Sequence, residues 1–218
     1  GINAMARGYA PWHGPGHGYG TTYYGTGGGY GGVGGKTGYG AAGAVYGNPY
    51  APLAPGSGGG GSWDGSPLYT GSGYGGGLIS VEATGDVVLK GKIVADGGMG
   101  TGFYLYGAGG SGGGIFVDCE RFVGEETALL SVKGGKSSKG GGGGGGRIAV
   151  WHKRMPPYLQ AKLLAEDTGS ASAATNAPTS YLGQVDIGFG TGNDIPDAEP
   201  GTVWFIVPPP MGTLLILR

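Results

Sequence analysis

Charge, cysteine and long apolar runs are all scarce in this chain. Its 218 residues include 13 Lys+Arg and 14 Asp+Glu, for a net charge of −1. That balance supplies no electrostatic footprint for nucleic acid or an anionic membrane, and no like-charge excess of the kind that keeps disordered chains extended. Cys119 is the single cysteine, so no internal disulfide can form, and the redox compartment is left open. The longest apolar run, Val203–Met211, contains three prolines and falls far short of the roughly 20 residues that span a bilayer. Nothing near Gly1 has the basic-then-apolar order of a signal peptide, so a secreted chain would be one whose leader is absent from this sequence.

Glycine is what the chain has in excess: 58 residues, without the strict three-residue period of collagen. Such a composition points to building material before catalyst. Residues 1–77 carry 10 of the 14 tyrosines and only Arg7, Lys36 and Asp64 as charges. This Gly/Tyr-rich region has neither a helical nor an alternating period. It is expected to be an arm or a glycine layer, in which polyproline-II-like strands pack closely and tyrosines cover the surface.

A repeat begins at residue 78. Leu78–Ala83, Asp86–Gly91 and Lys92–Gly98 read as three short strands with polar corners. Ile115–Gly135 repeats the pattern, and a third copy is expected over 147–169, with strands at Arg147–His152, Pro157–Gln160 and Lys162–Gly169. A fourth opens at Thr202–Val207 and Gly212–Leu217. Glycine triplets precede the first three copies. Three strands per coil predict an all-β, parallel β-helix-like solenoid of about three and a half coils spanning 78–218, the alternative being an antiparallel β-sandwich. Alternation in the first strand sets Leu78, Ser80 and Glu82 on one face and Ile79, Val81 and Ala83 on the other.

The coil Gly77–Gly98 resembles one turn of the right-handed β-helix in bacterial haemagglutinin-like and autotransporter-type surface proteins. The wider order is a Gly/Tyr-rich stretch, Tyr46-Gly-Asn-Pro-Tyr50, Pro55–Gly61, a coil, Gly109–Val117, and Gly140–Gly146 followed by Arg147-Ile-Ala-Val. It resembles glycine-rich secreted bacterial repeat proteins over most of residues 18–207. The resemblance implies an extracellular structural or adhesive role and brings no catalytic residues or cofactor.

Motifs that suggest chemistry are weak. Gly34-Gly-Lys-Thr37 and Gly134-Gly-Lys-Ser137 lack the first glycine of a phosphate loop, where Tyr30 and Leu130 stand instead. His13 and His17 share a metal-compatible spacing, but Gly14, Pro15 and Gly16 argue against the helix it would need. His152, read as turned outward from Ile148 and Val150, is expected at the surface. Asp194, Asp197 and Glu199 lie among glycine and proline and suit a turn. Asp194 and Asp197 are also weak calcium candidates, and the cluster could hold a glycosidase-like carboxylate pair. Cys119 reads as a small buried thiol.

The apolar C-terminal segment suggests either a fragment or a coil completed by another copy, which would generate a filament. Its self-assembly candidates are Val203, Trp204, Phe205, Ile206, Leu214, Leu215, Ile216 and Leu217. The expected function is a non-enzymatic extracellular structural protein that forms a homopolymeric filament, fibre or surface layer. One alternative is an adhesin module binding surface polysaccharide through Tyr23, Tyr24, Tyr104 and Tyr106; the second is a polysaccharide-degrading β-helix enzyme.

Overall fold

Alternation of β-branched residues with polar ones builds the first coil: β2 (Leu78–Glu82), β3 (Asp86–Leu89) and β4 (Lys92–Val94). In this computed structural model, residues 1–20, 23–38, 40–61, 71–101, 106–165, 175–176, 180–192 and 198–208 are described, with 175–176 as backbone only. The second coil is β5 (Gly114–Asp118), β6 (Arg121–Gly124) and β7 (Leu129–Ser131). Each strand pairs in parallel with its counterpart one coil away. The fold is therefore a parallel β-solenoid, and the antiparallel sandwich is excluded.

The third coil departs from expectation. β8 (Arg147–Trp151) stacks on β5, but Pro157–Leu164 is a helix, α1, where two strands were expected. Lys153 and Arg154 turn the chain out of the coil with φ of 57° and 43°, a left-handed conformation that costs about 1–2 kcal/mol per residue. Pro157 occupies the first helical turn, where its missing N–H is harmless, and Leu159 and Leu163 lie buried on one face. The coil is completed later in the chain by β10 (Ser180–Tyr181) on β6 and β11 (Gln184–Asp186) on β7. β12 (Thr202–Val207) then pairs with β8, and β9 (Thr175–Asn176) runs antiparallel along its last two residues. At the other end β1 (Ile2–Asn3) pairs with β4, so residues near the N-terminus join the solenoid. The segment 212–217 lies outside the described residues.

In-register stacking makes the core a set of ladders. Ile79, Ile115, Ile148 and Val203 form one row, and Val81, Val117, Val150 and Phe205 another. Ile93, Phe122, Leu130 and Cys119 fill the same interior. The sheet containing β5, β8 and β12 is buried on its outer face too. There Phe116, Ala149, Trp151 and Ile206 pack beneath Leu159 and Leu163 of α1 and beneath Tyr50 and Ala51. Asn48 ties this cover down: its amide donates to the Leu163 carbonyl at 2.6 Å and its oxygen accepts from the Tyr50 and Ala51 amides.

The connections between coils form a second layer. After β4 and β7 the chain runs out along 95–101 and 132–137, and it returns along 107–113 and 140–146 before the next coil. Backbone hydrogen bonds along Gly107–Gly114 rotate among three donor targets. Gly107, Gly110 and Gly113 donate to Thr101, Gly98 and Ala95; Ala108 and Ser111 to Gly60 and Ser57; Gly109 and Gly112 to Gly141 and Gly144. Its carbonyls accept from Gly73, Gly28, Gly135 and Gly76. This three-residue rotation is the period of polyproline-II geometry, and it gives one segment neighbours all around it where a β-strand has at most two. The described residues of 8–61 complete the layer from outside, so this part of the Gly/Tyr-rich region is built into the same glycine bundle as the inter-coil legs. Side chains are excluded by contact: a methyl on Gly109 would overlap the Gly135 carbonyl, and one on Gly142 the Gly190 carbonyl.

Candidate functional site

Among the described residues two surfaces bear on function. The first is the end of the solenoid at β2 and β3. Gly114 donates its N–H to the Gly77 carbonyl and Ala83 donates to Asp118, so odd-numbered residues of β2 turn their backbone groups toward β5. Leu78, Ser80 and Glu82 therefore direct theirs to the outer edge. In β3, Gly85 and Leu89 accept from Glu120 and Glu125, which leaves Asp86 and Val88 pointing outward. Among the described residues neither outer edge has a partner strand. Between these edges opens an apolar recess of about 360 Å³, lined by Ile2, Val81, Val87, Val88, Leu89 and Ile93 among others. Val88 and Ile2 are about half exposed there, at 53% and 48%. Unpaired edges around an apolar mouth are a template for further strand pairing.

The second surface lies on the glycine layer, away from the coils. A parallel bridge joins Tyr24 to Tyr106, and their rings stack at a centroid distance of 5.2 Å and an interplanar angle of 17°. The Lys139 ammonium donates to the Tyr106 hydroxyl at 3.0 Å and lies 4.6 Å from its ring centroid. Tyr23 is exposed beside them. Three of the four tyrosines singled out as glycan platforms thus fall in one cluster; Tyr104 lies outside the described residues.

No protein-family model, curated protein or solved structure matches this chain.

The remaining candidates fall elsewhere. Val203, Trp204, Phe205 and Ile206 sit on β12 and pack against the chain's own clusters, Ile206 fully buried. Leu214, Leu215, Ile216, Leu217, Asp194 and Asp197 lie outside the described residues. His13 and His17 are turned to local backbone, each Nδ1 within 2.9 Å of a carbonyl, that of Pro11 and of Gly14. Among the described residues no three His, Cys, Asp or Glu side chains group to hold a metal, and no helix is long and apolar enough to cross a membrane. Cys119 is buried and its thiol is pushed up to about 11 by that burial, which removes the thiolate needed for reactivity.

His152 is buried, contrary to the surface position expected for it. It has the same parity as Ile148 and Val150 and so belongs to their face. Its Nδ1 accepts from the Phe122 amide at 3.4 Å, its Nε2 has no hydrogen-bond partner among the described residues, and burial, with a smaller contribution from Lys153, lowers its pKa below 6.5. Arg147, also missed as a functional candidate, pins the two layers together. Its guanidinium donates to the Tyr46 carbonyl at 3.0 Å and the Thr202 hydroxyl at 3.2 Å, and lies over the buried Tyr30 ring. Only its position immediately after the glycine run hinted at that role.

Proposed function

We propose that this protein is an extracellular structural subunit that assembles with copies of itself, the solenoid of one copy continuing into the next as a filament, fibre or surface layer. The observation that carries this reading is the end formed by β2 and β3, where outward-directed backbone groups frame an apolar recess. Coil-on-coil contacts inside the subunit are already of this kind, and a second copy's terminal coil offers β10 as an edge strand, with β9 covering the last two residues of β12. The role is mechanical and calls for no catalysis or cofactor. The glycine bundle favours it: a scaffold held by backbone hydrogen bonds needs no disulfide outside the cell.

Proline at outward-directed positions tests the reading without breaking the subunit. Ser80→Pro with Val88→Pro removes two outward N–H groups and no internal ones. Sedimentation velocity should show concentration-dependent assembly of the wild-type chain and loss of assembly in the double variant, with unchanged circular dichroism. Equal assembly of both would remove these edges as the joint.

A second reading, a carbohydrate-binding adhesin module, is favoured by the Tyr23, Tyr24 and Tyr106 cluster beside Lys139. Binding to a panel of surface polysaccharides that is lost on Tyr23→Ala would support it; no binding by the wild-type chain would reject it.

A further inference from the structure

Among the described residues two pairs of tyrosine rings touch, and they differ in access. Tyr30 and Tyr46 meet at 4.6 Å with planes tilted by 42°, Tyr30 fully buried. Burial pushes the Tyr30 phenol up to about 12 and raises Tyr46 as well, so neither ionises readily. Tyr24 and Tyr106 instead stack nearly parallel, are only partly buried, are held by a backbone bridge, and have an ammonium on the Tyr106 oxygen.

We propose that Tyr24 and Tyr106 are an oxidative coupling site, joined as a dityrosine by hydrogen peroxide acting through a one-electron oxidant such as a haem peroxidase. Each phenol loses one electron and its hydroxyl proton to become a phenoxyl radical, whose spin is shared with the carbons ortho to oxygen. Two such carbons, one per ring, form the new C–C bond. The hydrogens on those carbons then move to the oxygens and restore both phenols. The two electrons and two protons removed reduce one hydrogen peroxide to two waters. Stacking supplies proximity, which converts a bimolecular coupling into an intramolecular one. Lys139, donating to the Tyr106 hydroxyl at 3.0 Å, holds that ring in the stack. The product would tie the outer Gly/Tyr-rich region to the start of the 107–114 leg, closing a loop of 83 residues, Tyr24 to Tyr106 inclusive, in the unfolded chain and stabilising the fold. This inference stands apart from the assembly reading, since it concerns a link within one chain.

The test treats dilute full-length protein with hydrogen peroxide and peroxidase, then isolates monomer and maps tryptic peptides. The expected product is peptide Gly8–Lys36 joined to Ile93–Arg121 with two hydrogens lost, blue dityrosine fluorescence, and fragmentation that places the bond at Tyr24 and Tyr106. Tyr24→Phe and Tyr106→Phe, which keep the ring and the stack, should each abolish it; Tyr46→Phe should leave it intact. Monomer without the link, a link at Tyr30 and Tyr46, or a link that survives Tyr24→Phe would overturn the proposal.

Discussion

At Gly109 the absence of a side chain is a packing requirement, because the space a methyl would need is occupied by the Gly135 carbonyl; Gly85 and Gly91 have nothing within 4 Å of that point. Gly109→Ala should therefore destabilise the subunit by about 2–4 kcal/mol, as overpacking and a displaced buried carbonyl do. Gly85→Ala should be neutral or stabilise by about 0.4–1 kcal/mol by restricting the unfolded chain. Urea unfolding of the pair checks both signs. His152 gives a residue-scale pH dependence. Its folded pKa is lowered, so the folded state disfavours the extra proton that the unfolded state takes up near 6.5. The stability this represents is present above that value and is lost as pH falls below it. The urea midpoint should decline from pH 7 to pH 5 in the wild-type chain and decline less in His152→Gln; an equal decline in both would assign the effect to other groups.

Elements were legible in the sequence where one side of a strand faces water. Leu78–Glu82 alternates exposed and buried as its residues suggest, because β2 is covered on its inner face alone. β8 is buried along its whole length, since α1 roofs its outer face, and its run of Ile, Ala, Val and Trp therefore carries no alternation. The third coil departs from the repeat for a related reason. Pro156-Pro157 and the Leu159, Leu163 spacing are helix-start and helix-face signals, and the true strands Ser180–Tyr181 and Gln184–Asp186 are short and follow a long insertion. Among the glycine segments the hydrogen-bond rotation uses only backbone, so composition left an arm and a glycine layer both open and no residue pattern could give the neighbours. The tyrosine cluster was partly legible as aromatic density; Lys139 came to it through folding alone. If α1 is the roof of the outer face, Leu163→Ala should cost about 2–5 kcal/mol, measured by thermal unfolding. A cost near zero would mean that the helix is only loosely seated.

For the whole molecule, the β-solenoid and the glycine bundle share one stacking axis, because each inter-coil leg lies on the equivalent leg of the next coil: Gly97 and Gly100 donate to Lys133 and Lys136, and Gly134 and Ser137 to Gly188 and Thr191. A copy that continued the solenoid at the β2 and β3 end would stack directly on those two strands, while over β4 and the start of its glycine leg it would meet the Ile2–Ala6 segment, which already pairs there. Polymerisation through β2 and β3 places every strand perpendicular to the filament axis. The most direct measurement is electron microscopy of the concentrated protein, with the power spectrum of whatever filaments form. The account predicts unbranched filaments with a meridional spacing of about 4.8 Å, the distance between stacked strands. Monodisperse particles at every concentration, or filaments whose strand spacing lies off the axis, would contradict it.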